Sequence, residues 1–363
     1  MTTLQTEKII NLTRGVPPAE AFPTEDLIAC EEAALRKYGN ILLQYAQAPG
    51  FVPMREWLAN HYDLKPGNIF MGNSSLEILN FITQLVIKPG DTVFAESPTY
   101  DRTNTLLKRA CAKIVDIPME KDGMDMEIFE KELKKNPPVM LYIVADFQNP
   151  MGSSTSAVKR HQLAKWAEQY DFWIVEDAPY RPLRYMGKDE PTIMSLSPEK
   201  VLHLSSFSKL LAPGIRFGYM VGPDSFVKKV TAWAVDTYIG PVMPTQGMVY
   251  EYCTRDLLGK NIEKLKNLYK PRLEALLQAL EKYLPRADWT KPEGGFFVSV
   301  FLPDGNDMDT LIPKADRAGL KLTDGRGFFI NPGDGERFLR IPFCSLNPQE
   351  LDNAIERLAP LIN

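Results

Sequence analysis

Histidine is scarce in this 363-residue chain: His61, His161 and His203 are the only three, far apart and without ligand spacing. A histidine-built metal centre is therefore not expected; structural or exposed roles are. Cysteine is equally thin. Cys30, Cys111, Cys253 and Cys344 form no Cys-x-x-Cys pair and read as reduced cytosolic thiols, mostly core, rather than as disulfides or metal ligands. A basic surplus is missing too: the net charge is −4, and the Lys-rich pieces at 131–135 and 260–270 have the helical spacing of a solvated face. This argues against a nucleic-acid partner. No apolar run reaches membrane-spanning length, so no membrane partner is expected. Residues 1–12 lack a basic region followed by an apolar core, so the expectation is a cytoplasmic protein without a signal peptide. Internal repeats and low-complexity stretches are absent as well.

What is present suits a large soluble α/β protein. Apolar residues make up 44% and charged residues 24%, enough for a substantial core, and the length suggests one large and one smaller domain. Strand-like and helix-like segments alternate from about 68 to 238. Strands are predicted at 68–72, 92–96, 113–117, 173–176, 201–205 and 217–221, with helices at 76–86, 125–135 and 156–170. The continuous apolar run 139–145 is what a parallel strand buried on both faces requires. A mostly parallel sheet between helices follows. Beyond 238 the pattern changes to a long amphipathic helix at 261–283, a strand from Gly294-Gly295 to Leu302, and segments at 307–318, 338–341 and 348–361. The expected division is a large domain at 46–250 and a small α/β domain formed by both chain ends, 1–45 and 251–363. The first 40 residues show no sheet rhythm of their own and are expected to pack with that small unit.

The chemistry concentrates at predicted strand tips, where open α/β sheets bind ligands. Ser206, Ser208, Lys209 and Arg216 put two hydroxyls, an amine and a guanidinium within eleven residues. An amine condenses with an aldehyde, and hydroxyls with a guanidinium hold a phosphate; pyridoxal phosphate (PLP) carries both groups. Gly72-Asn73-Ser74-Ser75 opens a helix and reads either as an anion site or, for Ser75, as a plain N-cap. Tyr100, in Glu96-Ser97-Pro98-Thr99-Tyr100, is placed either to lie on an aromatic ring or as an exposed loop residue. Asn149 precedes Pro150 in a turn; its amide also suits a ring oxygen, and the Asn149–Pro150 bond is predicted to be cis. Asp177 ends a buried strand and needs a partner, which a cap, a salt bridge or a protonated pyridine nitrogen would supply. Tyr180 follows three residues later. Arg340 interrupts an apolar strand, and either an internal ion pair or a substrate carboxylate would account for it.

In their order, Asn149-Pro150-x-Gly152, Asp177-x-x-Tyr180, Ser206-x-Ser208-Lys209 with Arg216, and Arg340 resemble the PLP-dependent aminotransferases of fold type I, class I/II. Phe147-Gln148-Asn149-Pro150 and 206–219 are most similar to the aminoadipate, kynurenine and aromatic branch and to the aminotransferase-like half of MocR-type regulators. The resemblance runs from Ile10 to the C-terminus. It implies that Lys209 forms the internal aldimine and shuttles a proton, that Asp177 pairs with the pyridinium nitrogen, and that Asn149 and Tyr180 bond the phenolic oxygen. It implies further that Tyr100 stacks on the ring and that Ser74, Ser75, Ser206, Ser208 and Arg216 hold the phosphate. Arg340 takes the substrate α-carboxylate and the backbone at Gly15 closes over it. Gln44-Tyr45 resembles the segment whose tyrosine reaches the partner subunit's phosphate, so a homodimer with shared sites is implied.

The chain departs from the family pattern in places. Ala46 and Met54 stand for the usual glycine and leucine, Met151 for threonine, Arg14 for a small residue, and 323–327 for a Pro-Gly-containing turn. The expected activity is transfer of an amino group between an amino acid and a 2-oxo acid through a pyridoxamine phosphate intermediate. A β-lyase on the same fold, or a PLP-binding sensor domain without turnover, are the other readings. A sensor of the MocR type carries an N-terminal DNA-binding domain, for which the sequence ahead of Ile10 leaves no room. For the substrate side chain, Arg14 or Arg326 is expected to read a distal carboxylate.

Overall fold

Strand Met140–Ile143 buries every residue, and its side chains divide between two cores. Leu141 and Ile143 face one apolar set, while Met140 and Tyr142 face the other. Period-2 alternation with both faces apolar makes this a central strand. A computed structural model describes residues 9–46 and 48–362; much of the opening stretch read above for a leader lies outside them. The sheet has eight strands in the spatial order Ile69–Gly72, Gly218–Val221, Val201–Ser206, Trp173–Asp177, Met140–Ile143, Thr92–Ser97, Lys113–Glu120 and Gly123–Met124. The five neighbours from Val201–Ser206 to Lys113–Glu120 run parallel. Gly218–Val221 is antiparallel to both of its neighbours, and Gly123–Met124 closes a hairpin at the edge. The mostly parallel sheet read from the sequence is therefore present.

Helices cover both faces. Ser75–Val86 begins from the tip of Ile69–Gly72, with the Ser74 hydroxyl accepting from the Glu77 amide at 3.0 Å. Ser74, and not Ser75, is thus the N-cap. The C-terminal part builds an antiparallel sheet of Asp288–Trp289, Phe297–Phe301 and Phe338–Pro342. Helices Leu257–Tyr283 and Pro348–Leu358 pack against each other beside it.

The N-terminal segment divides, contrary to the reading that it packs wholly with the C-terminal unit. Ile10–Leu12 is a strand, parallel to Leu320–Leu322; three residues are too few to show a period. Helix Thr24–Leu42 instead packs along Met243–Thr254, with Cys30, Ala34 and Leu42 in the core that contains Leu141 and Ile143. The long helix starts at Leu257 rather than 261. The Asn149–Pro150 bond is cis, as read from the sequence, and so are Ala48–Pro49 and Ser97–Pro98.

Candidate active site

The carboxyl ends of the parallel strands open onto a cleft of about 520 Å³. Ser74, Ser75, Tyr100, Asn149, Asp177, Tyr180, Ser206, Ser208, Lys209, Arg216 and Arg340 all line it, joined by Arg14 and Gly15 from the N-terminal segment. Two predicted residues, Tyr45 and Arg326, lie elsewhere. Tyr45 is 79% exposed and borders a second depression with Leu43 and Ile239.

Asp177 is the last residue of Trp173–Asp177, so its side chain leaves the sheet where hydrogen bonding ends. Its Oδ2 accepts from the Tyr142 hydroxyl at 2.9 Å, while Oδ1 is buried with no partner. Burial pushes the carboxyl up to about 6, opposed by that hydrogen bond and by the nearby His203 and Lys209. No cap or salt bridge satisfies this acid among the described residues. Lys209 follows Val201–Ser206 in a tight turn, and its Nζ donates to the Gly15 carbonyl at 3.3 Å. Burial lowers its pKa from the ordinary lysine range, with the Arg340 and Arg216 charges adding to the effect and Asp177 opposing it.

The end of the cleft nearest Ser74 gathers groups that could hold an anion. The first amides of helix Ser75–Val86 have no partners within the helix. Gly218 allows the neighbouring strand to reach them: a Cβ there would lie 2.2 Å from the Ser75 amide nitrogen. The Ser208 amide donates to Ser206 Oγ at 3.1 Å, which curls the turn around the same point. Arg216, with a left-handed backbone (φ 47°), spends one bond on the Pro213 carbonyl and makes no ion pair with a described residue.

Arg340 occupies the centre of Phe338–Pro342. Its neighbours Leu339 and Ile341 turn into the core, so alternation turns Arg340 to the opposite face. The guanidinium lies between the rings of Phe297 and Phe328, 4.6 Å from each centroid. It donates to Asn149 Oδ1 at 3.0 Å and to the Thr13 carbonyl at 2.8 Å, while its Nε is buried without a partner. Among the described residues it has no carboxylate, so the internal ion pair is excluded as its explanation. Asn149 spends its oxygen on Arg340, which leaves its NH₂ end to donate. Tyr180 packs against Phe296 and Phe297, and burial raises its phenol above the ordinary tyrosine range.

The two arginines considered for side-chain recognition separate. Arg326 is tied to Asp324 and Asp309 at 2.7 and 2.8 Å and does not line the cleft. Arg14 lines it with no hydrogen bond or ion pair to its guanidinium among the described residues.

Two polar residues beneath the cleft escaped the sequence reading. Tyr142 sat inside an apolar run and read as core. Glu96 stands one residue before the end of Thr92–Ser97, an acid at a buried strand tip as Asp177 is, and that was the available signal. Its Oε2 accepts from the Val144 amide at 2.9 Å and from Gln148 Nε2 at 3.2 Å, which pins the turn that carries Asn149. Burial pushes Glu96 up to about 8. A carboxyl raised in the folded state contributes stability that is fully present below about 4.5 and is lost as pH rises through about 8. Glu96→Gln is therefore expected to flatten the decline in stability between pH 5 and 8. Urea unfolding at several pH values checks this, and an unchanged slope contradicts it.

A phosphorylated pyridine aldehyde fits this donor set. Lys209 would meet its aldehyde, the unpartnered Oδ1 of Asp177 would suit its ring nitrogen, and the helix start with Arg216 would suit its phosphate. Residues 7–358 match the family model for aminotransferase class I and II, and the chain belongs to that family. It is 34% identical over 372 residues to aromatic-amino-acid aminotransferase 1 of Thermococcus litoralis, covering 99% of this chain and 89% of that one. It is 27% identical over 355 residues to the 2-aminoadipate transaminase of Thermus thermophilus, covering 96% and 89%. The crystal structure of a Pyrococcus horikoshii kynurenine aminotransferase, a complex with PMP, superposes with a TM-score of 0.94 at 34% identity, over 98% of this chain and 91% of that one. The fold is that of the fold type I aminotransferases.

Proposed function

We propose that this protein is a PLP-dependent aminotransferase that moves an amino group between an amino acid and a 2-oxo acid. The observation that carries the reading is the convergence, in one cleft, of a half-buried lysine amine and, among the described residues, an unpartnered buried carboxylate oxygen and an arginine without a carboxylate. The cofactor, when bound, supplies the electron sink that stabilises charge at the substrate Cα. Asp177 keeps the ring nitrogen protonated. Asn149 and Tyr180 donate toward the ring oxygen, and Tyr100 covers the ring face. Ser74, Ser75, Ser206, Ser208 and Arg216 hold the phosphate. Arg340 fixes the α-carboxylate in a bidentate fork held flat by Phe297 and Phe328, with Gly15 closing above. Lys209, lowered by burial, would take the Cα proton as a neutral amine and hold it for return on the same face of the site.

Incubation with a panel of amino acids tests the assignment. Formation of a 2-oxo acid, matched by amination of a second 2-oxo acid, is expected. Release of ammonia without an amino acceptor moves the protein to the β-lyase reading, and binding of PLP without any exchange moves it to the sensor reading. On the substrate side, Arg14 is a cleft guanidinium without a hydrogen bond or ion pair among the described residues. Arg14→Gln is expected to raise KM about tenfold for dicarboxylic donors and acceptors, leaving neutral donors unchanged. Steady-state kinetics on glutamate against an apolar donor measures the difference, and equal effects on both remove Arg14 from the site.

A homodimer belongs to the same proposal. Leu43, Tyr45, Ile239 and Val242 are exposed around the second depression. The Val242 amide donates to Asn73 Oδ1 at 2.9 Å, which brings this surface next to the Ser74 end of the cleft. A second copy seated there would carry Tyr45 toward the neighbouring phosphate site. Sedimentation at micromolar concentration is expected to give twice the chain mass of 41.1 kDa. A monomer contradicts the shared site. A cytoplasmic location accords with four unpaired cysteines, and among the described residues no helix is long and apolar enough to cross a membrane.

A further inference from the structure

Tyr142 pairs with Val175 across the sheet, two residues before Asp177, so its side chain projects toward the carboxylate from the adjacent strand. Both residues are buried, and among the described residues the 2.9 Å bond from the Tyr142 hydroxyl is the one hydrogen bond the Asp177 carboxylate receives. A phenylalanine would fill an apolar strand position without a hydroxyl to satisfy, and a buried phenol has to find an acceptor. Here the acceptor is Asp177, the acid proposed for the ring nitrogen.

We infer that Tyr142 is a positioning residue for the cofactor: by occupying Oδ2 it fixes the rotamer of Asp177 and reserves Oδ1 for the ring nitrogen. The inference rests on the aminotransferase reading and adds a residue to it. Electrostatics agree. Two acids are buried under the cleft, Glu96 and Asp177, and the charge of Asp177 adds to the burial that raises Glu96. Glu96 takes its hydrogen bonds from a backbone amide and Gln148, and burial holds it neutral up to about pH 8. The phenol donates to the other acid, the one that must be ionised, and a hydrogen bond to the charged form favours it. Lys209 adds a positive charge from across the cleft.

The test compares wild type, Tyr142→Phe, Asp177→Asn and the double variant, each freed of cofactor and reconstituted with PLP. Wild type is expected to take up PLP. Tyr142→Phe is expected to bind it about tenfold more weakly and to lose about tenfold in kcat, with KM for the amino donor unchanged, which is the scale of one hydrogen bond to a charged group. In the Asp177→Asn background the same substitution is expected to have no further effect on PLP affinity, because Tyr142 acts through the carboxylate charge. A merely structural tyrosine would weaken both backgrounds equally. Wild-type affinity and kcat in Tyr142→Phe, or an effect of equal size in both backgrounds, overturns the role of Tyr142 and leaves the aminotransferase reading standing. A wild-type protein that takes up no PLP overturns both. Should the phenylalanine protein fail to fold, 3-fluorotyrosine at position 142 keeps the ring and donates more strongly. It is expected to tighten PLP binding by about twofold or more, and unchanged or weaker binding counts against the inference.

Discussion

Lys209→Ala is expected to lower turnover by about 10³-fold or more, the scale of losing a positioned general base, and to abolish covalent retention of PLP. The reason lies in the surroundings of the amine. Lys209 is half-buried at the carboxyl end of the sheet, and its amine donates to the Gly15 carbonyl at 3.3 Å. Desolvation disfavours the ammonium, and Arg340 and Arg216 repel it further. The neutral amine is thereby reached below the ordinary lysine range, so the rate in wild type is expected to rise with pH and level off before that range. Among the described residues no other lysine lines the cleft to take its place. Small primary amines in solution are expected to restore part of the lost rate, because the cavity left by the side chain admits them while the rest of the site is intact. Steady-state kinetics of the variant with and without methylamine checks both points. Activity within tenfold of wild type contradicts the role given to Lys209.

Asp177→Asn is expected to cost about 10³-fold in kcat, in line with removing a preorganised charge from a water-poor site. The amide keeps the shape and accepts from Tyr142, but it cannot hold a proton on the ring nitrogen. Stability is expected to move the other way. In the cofactor-free protein burial raises Asp177 to about 6, so its contribution to stability is fully present below about 3.8 and is lost as pH rises through 6. The asparagine protein without cofactor is therefore expected to be no less stable than wild type at pH 8. A variant slow in turnover yet undiminished in melting temperature is the expected result, measured by kinetics on the reconstituted protein and thermal melts of the cofactor-free one. Near-normal turnover removes Asp177 from the ring nitrogen.

The residues easiest to read from the sequence were polar groups placed where an apolar strand ends or is interrupted. Asp177 and Arg340 stand out in this way because an uncompensated buried charge is costly, and the structure leaves Oδ1 of one and Nε of the other without a protein partner. Lys209 carried its own chemistry. Tyr142 gave no such sign, since a tyrosine in a buried run satisfies the same pattern whether its hydroxyl meets a backbone carbonyl or a catalytic acid. Arg14 and Arg326 were indistinguishable for a related reason: Asp309, which helps to hold Arg326, is seventeen residues away and becomes a neighbour through folding. In the fold, the parallel strands were legible from continuous apolar runs. Direction was not. Gly218–Val221 is as apolar as its neighbours and runs the opposite way because of its connections. The placement of Thr24–Leu42 along Met243–Thr254 was equally hidden, since an amphipathic face does not name the surface it covers.

Covalent mapping of the cofactor bears most directly on the account. The PLP-reconstituted protein is reduced with borohydride, digested, and its peptides are weighed. A phosphopyridoxyl group is expected on the peptide that contains Lys209, with loss of the yellow colour on reduction. A tag on another lysine, or a protein that takes up no PLP, contradicts it.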